Sequence, residues 1–370
     1  MKTLLTAAAL AIASAAAPPV AHAADTVLIV LSGEGRDQGK TRPGYEMDEL
    51  AQAWLVFADN GLAVEVASPR GGAVEADRYD PKDPFNARLL ADAGKTAQLA
   101  DTRPTAALRA ADYAAVYVVG GKGAVFDLPR DAALARLIGE IHAQGGIVAA
   151  VCHGPAVLTA VRDAGGRPLA AGRAMTGFSN EEETLFGKRW AKEYPFLLED
   201  RLREQGARWS EAAPMLPHVV VDGGLITGQN PYSTLGVAEA LVRATGRTPV
   251  ARTPSRDERS MAVAQQALRG EAAAARAALA ADVDTYHVQL IGMLGYYQLQ
   301  AADGDAAVRD AVTLMTLAEP HFAEPRLQVA IADGEWRLGR SGPARERLQR
   351  VLAQHPQMDE AKQLMARIDG

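Results

Sequence analysis

From Thr26 to about Thr248 the chain alternates short β-branched runs with amphipathic stretches of helical period, and this alternation constrains the fold more than any other feature. Thr26–Leu31 (TVLIVL), Leu62–Ser68 (LAVEVAS), Ala114–Val119 (AAVYVV) and Ile147–Val151 (IVAAV) read as strands. Glu46–Asn60 and Ala132–Ala143 read as helices, with Gly61 and Gly145-Gly146 where helix ends belong. His218–Thr227 (HVVVDGGLIT) reads as a hairpin turning at Asp222-Gly223-Gly224, and a further helix follows Tyr232. Apolar strands alternating with helices predict a mostly parallel, doubly wound sheet covered on both faces. Ligands bind such sheets at the carboxyl ends of the strands. That rule selects Ser32–Arg36, Gly120–Gly123 and Cys152–Gly154.

After Pro249 the pattern changes. Residues 249–258 read as a polar linker between an α/β unit (24–248) and an all-helical unit (259–370), and 370 residues suffice for about two domains. Within the second unit, Pro320-His-Phe-Ala-Glu-Pro and Pro356-Gln-Met-Asp-Glu-Ala stand 36 residues apart. Gly304-Asp-Ala-Ala-Val and Gly342-Pro-Ala-Arg-Glu occupy the matching turns. A period near 34 belongs to tetratricopeptide repeats, so about two degenerate repeats are expected, with an ordinary helical bundle as the other reading. Such repeats offer a groove for a peptide or a partner's helix.

Residues 1–23 read as a signal peptide: Lys2, an apolar stretch from Leu4 to Ala17, and the small-x-small site Ala21-His22-Ala23. The stretch is shorter than the roughly 20 residues of a spanning helix, so no membrane span is expected. Cleavage after Ala23 and a composition of bacterial type lead to the periplasm as the expected location. The balance of 39 Lys and Arg against 45 Asp and Glu excludes a generic nucleic-acid binder. One cysteine, Cys152, excludes an intrachain disulfide and a dithiol redox pair. Of the seven histidines none has metal-binding spacing, and Gly33-Glu-Gly35 lacks the rest of a dinucleotide fingerprint. No metal and no cofactor is expected.

The chemistry gathers at Ile147–Val157 (IVAAVCHGPAV). A strand stops, a nucleophilic side chain follows, and Gly154-Pro155 opens a helix, as in a nucleophile elbow. Amides at a helix start favour the thiolate, which predicts a lowered pKa for Cys152, with His153 as proton shuttle.

From Thr26 to about Thr245 the chain resembles the DJ-1/PfpI superfamily, and within it the heat-shock-induced branch of glutathione-independent glyoxalases (glyoxalase III) and chaperones. The matching stretches are Gly44-Tyr-Glu-Met-Asp-Glu49-Leu-Ala, Val66-Ala-Ser-Pro-Arg-Gly-Gly72, Asp80-Pro-Lys, Gly120-Gly-Lys-Gly123 and Ala150-Val-Cys-His-Gly-Pro155. Thr176-Gly-Phe-Ser-Asn-Glu-Glu-Glu183, Pro195-Phe-Leu-Leu-Glu-Asp200 and Thr227-Gly-Gln-Asn-Pro231 follow in register. The likeness does not extend to the helical tail. It implies a flavodoxin-like sandwich, Cys152 as nucleophile, His153 as its base, and an acid beside the thiol, for which Glu49 fits better than Glu46. A third acid should orient His153. The register favours Glu183, with Glu181 and Glu182 as neighbours, two of the three belonging to a solvated face. Gly120 and Gly121 would offer amides to an oxyanion. The branch reads Gly-Gly-His-Gly where this chain has Lys122, which either attracts anionic or carbonyl substrates or is simply solvated. Homodimerisation is a further expectation of the resemblance.

Three functions are consistent with these residues. The first is a cysteine enzyme acting on small aldehydes, a glyoxalase converting methylglyoxal to D-lactate or a related protein deglycase. The second is a holdase chaperone or stress-response binding protein using the tail. The third is a cysteine amidase or peptidase of the PfpI type. Deleting 258–370 is expected to spare the chemistry and remove partner binding.

Overall fold

A computed structural model describes residues 25–370, and the expected signal peptide at 1–23 lies outside the described residues. Among the described residues nine strands form two sheets: β1 Thr26–Val30, β2 Ala63–Ser68, β3 Arg103–Pro104, β4 Ala115–Val118, β5 Ile147–Val151, β6 Ala174–Met175, β7 Arg208–Trp209, β8 Val219–Asp222 and β9 Leu225–Gly228. The main sheet has seven strands in the order β3-β2-β1-β4-β5-β9-β8. All its pairings are parallel except β8 with β9, the hairpin expected at Asp222-Gly223-Gly224. Strands β1, β4 and β5 are buried almost throughout, as expected of strands covered on both faces. The sheet runs one way from β1 and the other way from β4. The crevice at that reversal, beyond the strands' carboxyl ends, is where doubly wound folds place ligands.

The α/β unit carries α1 Met47–Asp59, α2 Pro84–Leu90, α3 Ala93–Ala100, α4 Ala124–Asp127, α5 Ala132–Ala143, α6 Asn180–Phe186, α7 Leu198–Glu204 and α8 Thr234–Ala244. In α5 the apolar residues Leu134, Leu137, Ile138 and Ile141 recur at helical spacing and are buried. Asp131 caps the helix by accepting the Ala133 and Leu134 N–H groups. Helix α1 pairs with α8, and its Phe57 meets Tyr117 of β4 edge-on at 5.5 Å. The two-stranded sheet β6–β7 anchors the excursion between Met175 and Arg208 that brings α6 to the end of the main sheet.

Seven helices follow: α9 Arg256–Gln266, α10 Ala272–Ala281, α11 Val288–Ala301, α12 Gly304–Ala318, α13 Pro325–Arg337, α14 Ser341–Gln354 and α15 Asp359–Asp369. Helix α9 begins inside the expected linker 249–258, because Ser255 and Glu258 form a reciprocal capping box there. Helix α11 packs on α12, and α13 on α14. In addition, α11 touches α13 and α13 touches α15. The apolar residues form separate clusters along the stack rather than one shared core. Among the described residues, no helix is long and apolar enough to cross a membrane.

The tail is joined to the α/β unit by packing as well as by sequence. Leu216 and Tyr232 lie in one cluster with Met261, Leu279, Ile291 and Leu294. The Gln298 amide donates to the Pro214 carbonyl at 3.0 Å in a buried position, and the rings of Phe186 and Tyr297 meet at 4.8 Å.

Candidate active site

Cys152 sits one residue beyond β5 with φ +58°, in the left-handed region that non-glycine residues seldom adopt. Two hydrogen bonds hold it there. Its N–H donates to the Gly228 carbonyl at 2.9 Å, and its carbonyl accepts the Phe178 N–H at 2.8 Å. Strain of this kind costs roughly 1–3 kcal/mol and persists where the surroundings over-determine it. The chain leaves as a short helix opened by Gly154-Pro155, which is of the 3-10 type over Gly154–Thr159. Gly154 is needed because a Cβ there would stand 2.4 Å from the Val118 carbonyl of β4.

The thiol faces a buried relay. Cys152 Sγ lies 3.2 Å from His153 Nδ1, and His153 Nε2 lies 2.7 Å from Glu183 Oε1. All three residues are 5 % exposed or less. With Glu183 as carboxylate, Nε2 carries the proton and Nδ1 is free to accept from the thiol. The imidazole is stacked on Phe178, with ring centres 4.4 Å apart.

Glu49, from the first turn of α1, also neighbours the thiol. It is wholly buried, and its Oε2 accepts the Gly120 N–H at 2.7 Å, leaving Oε1 buried without a partner. Burial, then the neighbouring Glu46 charge, holds its pKa well above the usual carboxylate range. Burial also pushes the Cys152 thiol up, reinforced by the Glu49 and Glu46 charges and opposed by the Gly121 amide. The expected lowering of the thiol pKa by a helix start is therefore reversed: the short 3-10 turn is outweighed by burial beside carboxylates. Thiol and carboxyl compete for a proton, and a protonated Glu49 removes its share of the penalty on the thiolate.

Glu46 is half-buried at the start of α1. Burial raises its pKa to about 7, although the Lys122 charge opposes this. Lys122 is thus placed to offset Glu46. The expected role of Gly120 as an oxyanion donor does not hold in this geometry, since its N–H is committed to Glu49. Gly121, at φ +93°, turns its amide toward the sulfur instead.

Of the three successive acids in α6, only Glu183 reaches the histidine. Glu181 is partly exposed. Glu182 is not part of a solvated face: it is fully buried, accepting from Ser179 N–H at 3.1 Å, Met215 N–H at 2.8 Å and Asn230 Nδ2 at 2.9 Å. The sequence offered Glu182 only as an alternative to Glu183 for orienting the histidine, and gave no role to Tyr194, whose ring stands 6.0 Å from that of His153. The Ser-x-x-Glu spacing of a capping box could have revealed Glu182. Nothing in the local pattern marks Tyr194. Among the described residues, no three His, Cys, Asp or Glu side chains are grouped to hold a metal ion.

The pattern of the DJ-1/PfpI family matches residues 41–244. A glutathione-independent glyoxalase of Saccharomyces cerevisiae, HSP31, is 36% identical over 202 residues, covering 53% of this chain and 80% of the relative. The Schizosaccharomyces pombe glutathione-independent glyoxalase hsp3101 is 31% identical over 220 residues, covering 54% and 86%. Among solved structures, glyoxalase III of Candida albicans superposes with a TM-score of 0.54 at 27% identity, over 59% of this chain and 96% of its own. All these likenesses span the α/β unit's share of the chain.

Proposed function

The chain belongs to the DJ-1/PfpI family, and from that premise we propose that it is a cofactor-independent cysteine enzyme acting on small reactive aldehydes, converting methylglyoxal and water to D-lactate. The observation that carries this reading is the buried series Cys152–His153–Glu183 with Glu49 beside the thiol. It is supported by relatives named as glutathione-independent glyoxalases. We read the protein as exported to the periplasm through residues 1–23.

In the proposed reaction Sγ adds to the aldehyde carbon, and the thiol proton passes to His153 Nδ1. Glu183 holds the opposite ring nitrogen, fixing the tautomer that can accept. The adduct is a hemithioacetal. Glu49 removes the proton on that carbon and returns it to the neighbouring carbon, while a second proton moves between the two oxygens. A carboxylate made more basic by burial suits this task. The product is a lactoyl thioester, which water cleaves to lactate and the free thiol. Removal of early glycation adducts from proteins would use the same residues.

Amide or peptide hydrolysis is less well supported. The Gly120 amide is engaged by Glu49, and a sulfur in a residue 2 % exposed is reached more readily by a small aldehyde than by a peptide. A second, separate reading assigns the tail a holdase or partner-binding role. It rests on a groove of about 690 Å3 between α11, α13 and α15, lined by Tyr296, Asp333, Arg337, Leu364 and Arg367.

The test is D-lactate formation from methylglyoxal by the mature protein without glutathione. Cys152→Ala is expected to abolish it. Turnover unchanged in that variant, or none in the wild type at high enzyme concentration, would sink the aldehyde reading.

A further inference from the structure

Beyond α6 the chain runs as a strap, Gly187 to Pro195, past the catalytic cluster. Trp190 and Tyr194 of the strap pack on Phe126, with ring centres 6.3 and 5.3 Å away. Arg42 lies over the Phe126 ring at 4.5 Å and pairs with Glu193 at 3.7 Å. The strap is thus held against the site by stacking and charge. At its end the Tyr194 ring stands edge-on to His153.

Two observations meet at this tyrosine. Its hydroxyl is buried and has no hydrogen-bond partner in the protein. The Gly120 amide, which strand-end geometry would otherwise aim at a developing oxyanion, is already used by Glu49. A buried hydroxyl left unpaired is unfavourable. A substrate oxygen bound beside His153 would pair it.

We propose that the Tyr194 hydroxyl hydrogen-bonds the substrate oxygen that becomes the hemithioacetal oxygen, supplying the donor that the Gly120 amide cannot. The inference rests on the aldehyde reading of Cys152. As the S–C bond forms, the carbonyl π pair moves onto oxygen. Tyr194 donates a hydrogen bond to that oxygen and keeps its own proton. The proton that neutralises the oxygen is the one His153 took from the thiol. Burial, then the charges of Glu183, Cys152, Asp77 and Glu46, raises the phenol pKa, which keeps it a donor throughout.

Tyr194→Phe removes the oxygen and keeps the ring between Phe126 and His153. Its kcat/KM for methylglyoxal is expected to fall about 100-fold, the scale for one oxyanion donor. The rate and pH profile of Cys152 alkylation by iodoacetamide should stay within about twofold of wild type, because thiol and relay are untouched. Unchanged kcat/KM overturns the proposal. A parallel loss of alkylation also overturns it, since Tyr194 would then act by positioning the relay. A second measurement does not need turnover: protection of Cys152 from iodoacetamide by added methylglyoxal, read by peptide mass. Half-protection should require about tenfold more methylglyoxal in the variant, and equal protection in both proteins refutes the role of Tyr194 even if no lactate forms. Wild type that is protected but makes no D-lactate refutes the glyoxalase reading alone. Protection of neither protein overturns both.

Discussion

Glu182 gives access to the energetics beneath the relay, because its carboxyl ties α6 to Met215 and Asn230. Burial outweighs the hydrogen bonds it accepts from Ser179, Met215 and Asn230, and raises its pKa from 4.5 to about 7. An acid that holds its proton more tightly in the folded chain adds stability that is full below about pH 4.5 and is lost as pH rises through about 7. At about 1.36 kcal/mol per unit, the difference between about 7 and 4.5 amounts to about 3 kcal/mol. Glu46 and Asp127, raised mainly by burial to about 7 and about 6, titrate in the same window, so the wild-type pH profile alone does not isolate Glu182. Glu182→Gln removes one titration and keeps the shape. Urea unfolding of both proteins at intervals from about pH 4 to about pH 8 gives the difference in unfolding free energy. That difference should shift by about 3 kcal/mol against the wild type as pH rises. A flat difference would refute the reasoning, since Glu182 would then ionise alike in the folded and unfolded chains.

Two further outcomes follow from packing. In Gly120→Ala the new Cβ would stand 2.7 Å from Cys152 Cβ, Glu49 Oε2 and the Val151 carbonyl, so the Glu49 bond cannot survive unchanged. A displacement of about 1 Å in such a site costs on the order of 100-fold, so kcat/KM for methylglyoxal should fall by about that factor, and wild-type turnover would contradict it. Deleting residues 256–370 uncovers Phe186, Leu216 and Tyr232, against the sequence-based expectation that the tail is dispensable for chemistry. The truncated protein should associate on size-exclusion chromatography and lose most of its activity. A monodisperse, fully active fragment would show that the packing carries no functional load.

The sheet was legible because its signals are local. Ile147–Val151 is apolar without interruption, and Ala132–Ala143 has both period and cap, so their observed bounds coincide with those read from sequence. The Cys152–His153–Glu183 series was legible through resemblance, since nothing in the chain order says that a glutamate 30 residues on returns to the histidine. What escaped depends on long-range placement. The Gly120 amide looked free because its partner, Glu49, lies 71 residues earlier in the chain. Glu182 looked solvated because its acceptors' partners, Met215 and Asn230, come from other loops. The thiol shift was misjudged because a Gly-Pro exit fits a 3-10 turn as well as an α-helix, and because burial beside carboxylates is a tertiary fact.

The contact of Tyr297 and Gln298 with the Phe186 and Pro214 segments bears on the order in which the protein comes into being. Synthesis proceeds from the amino end at roughly 5–20 residues per second. Glu49, Cys152 and Glu183 leave the ribosome well before α11 does. A nascent chain therefore owns its complete reactive set while the outer side of α6 is still bare. The last third of the polypeptide acts as a clock on maturation, since Phe186 and Pro214 gain their tail partners only once α11 has been made.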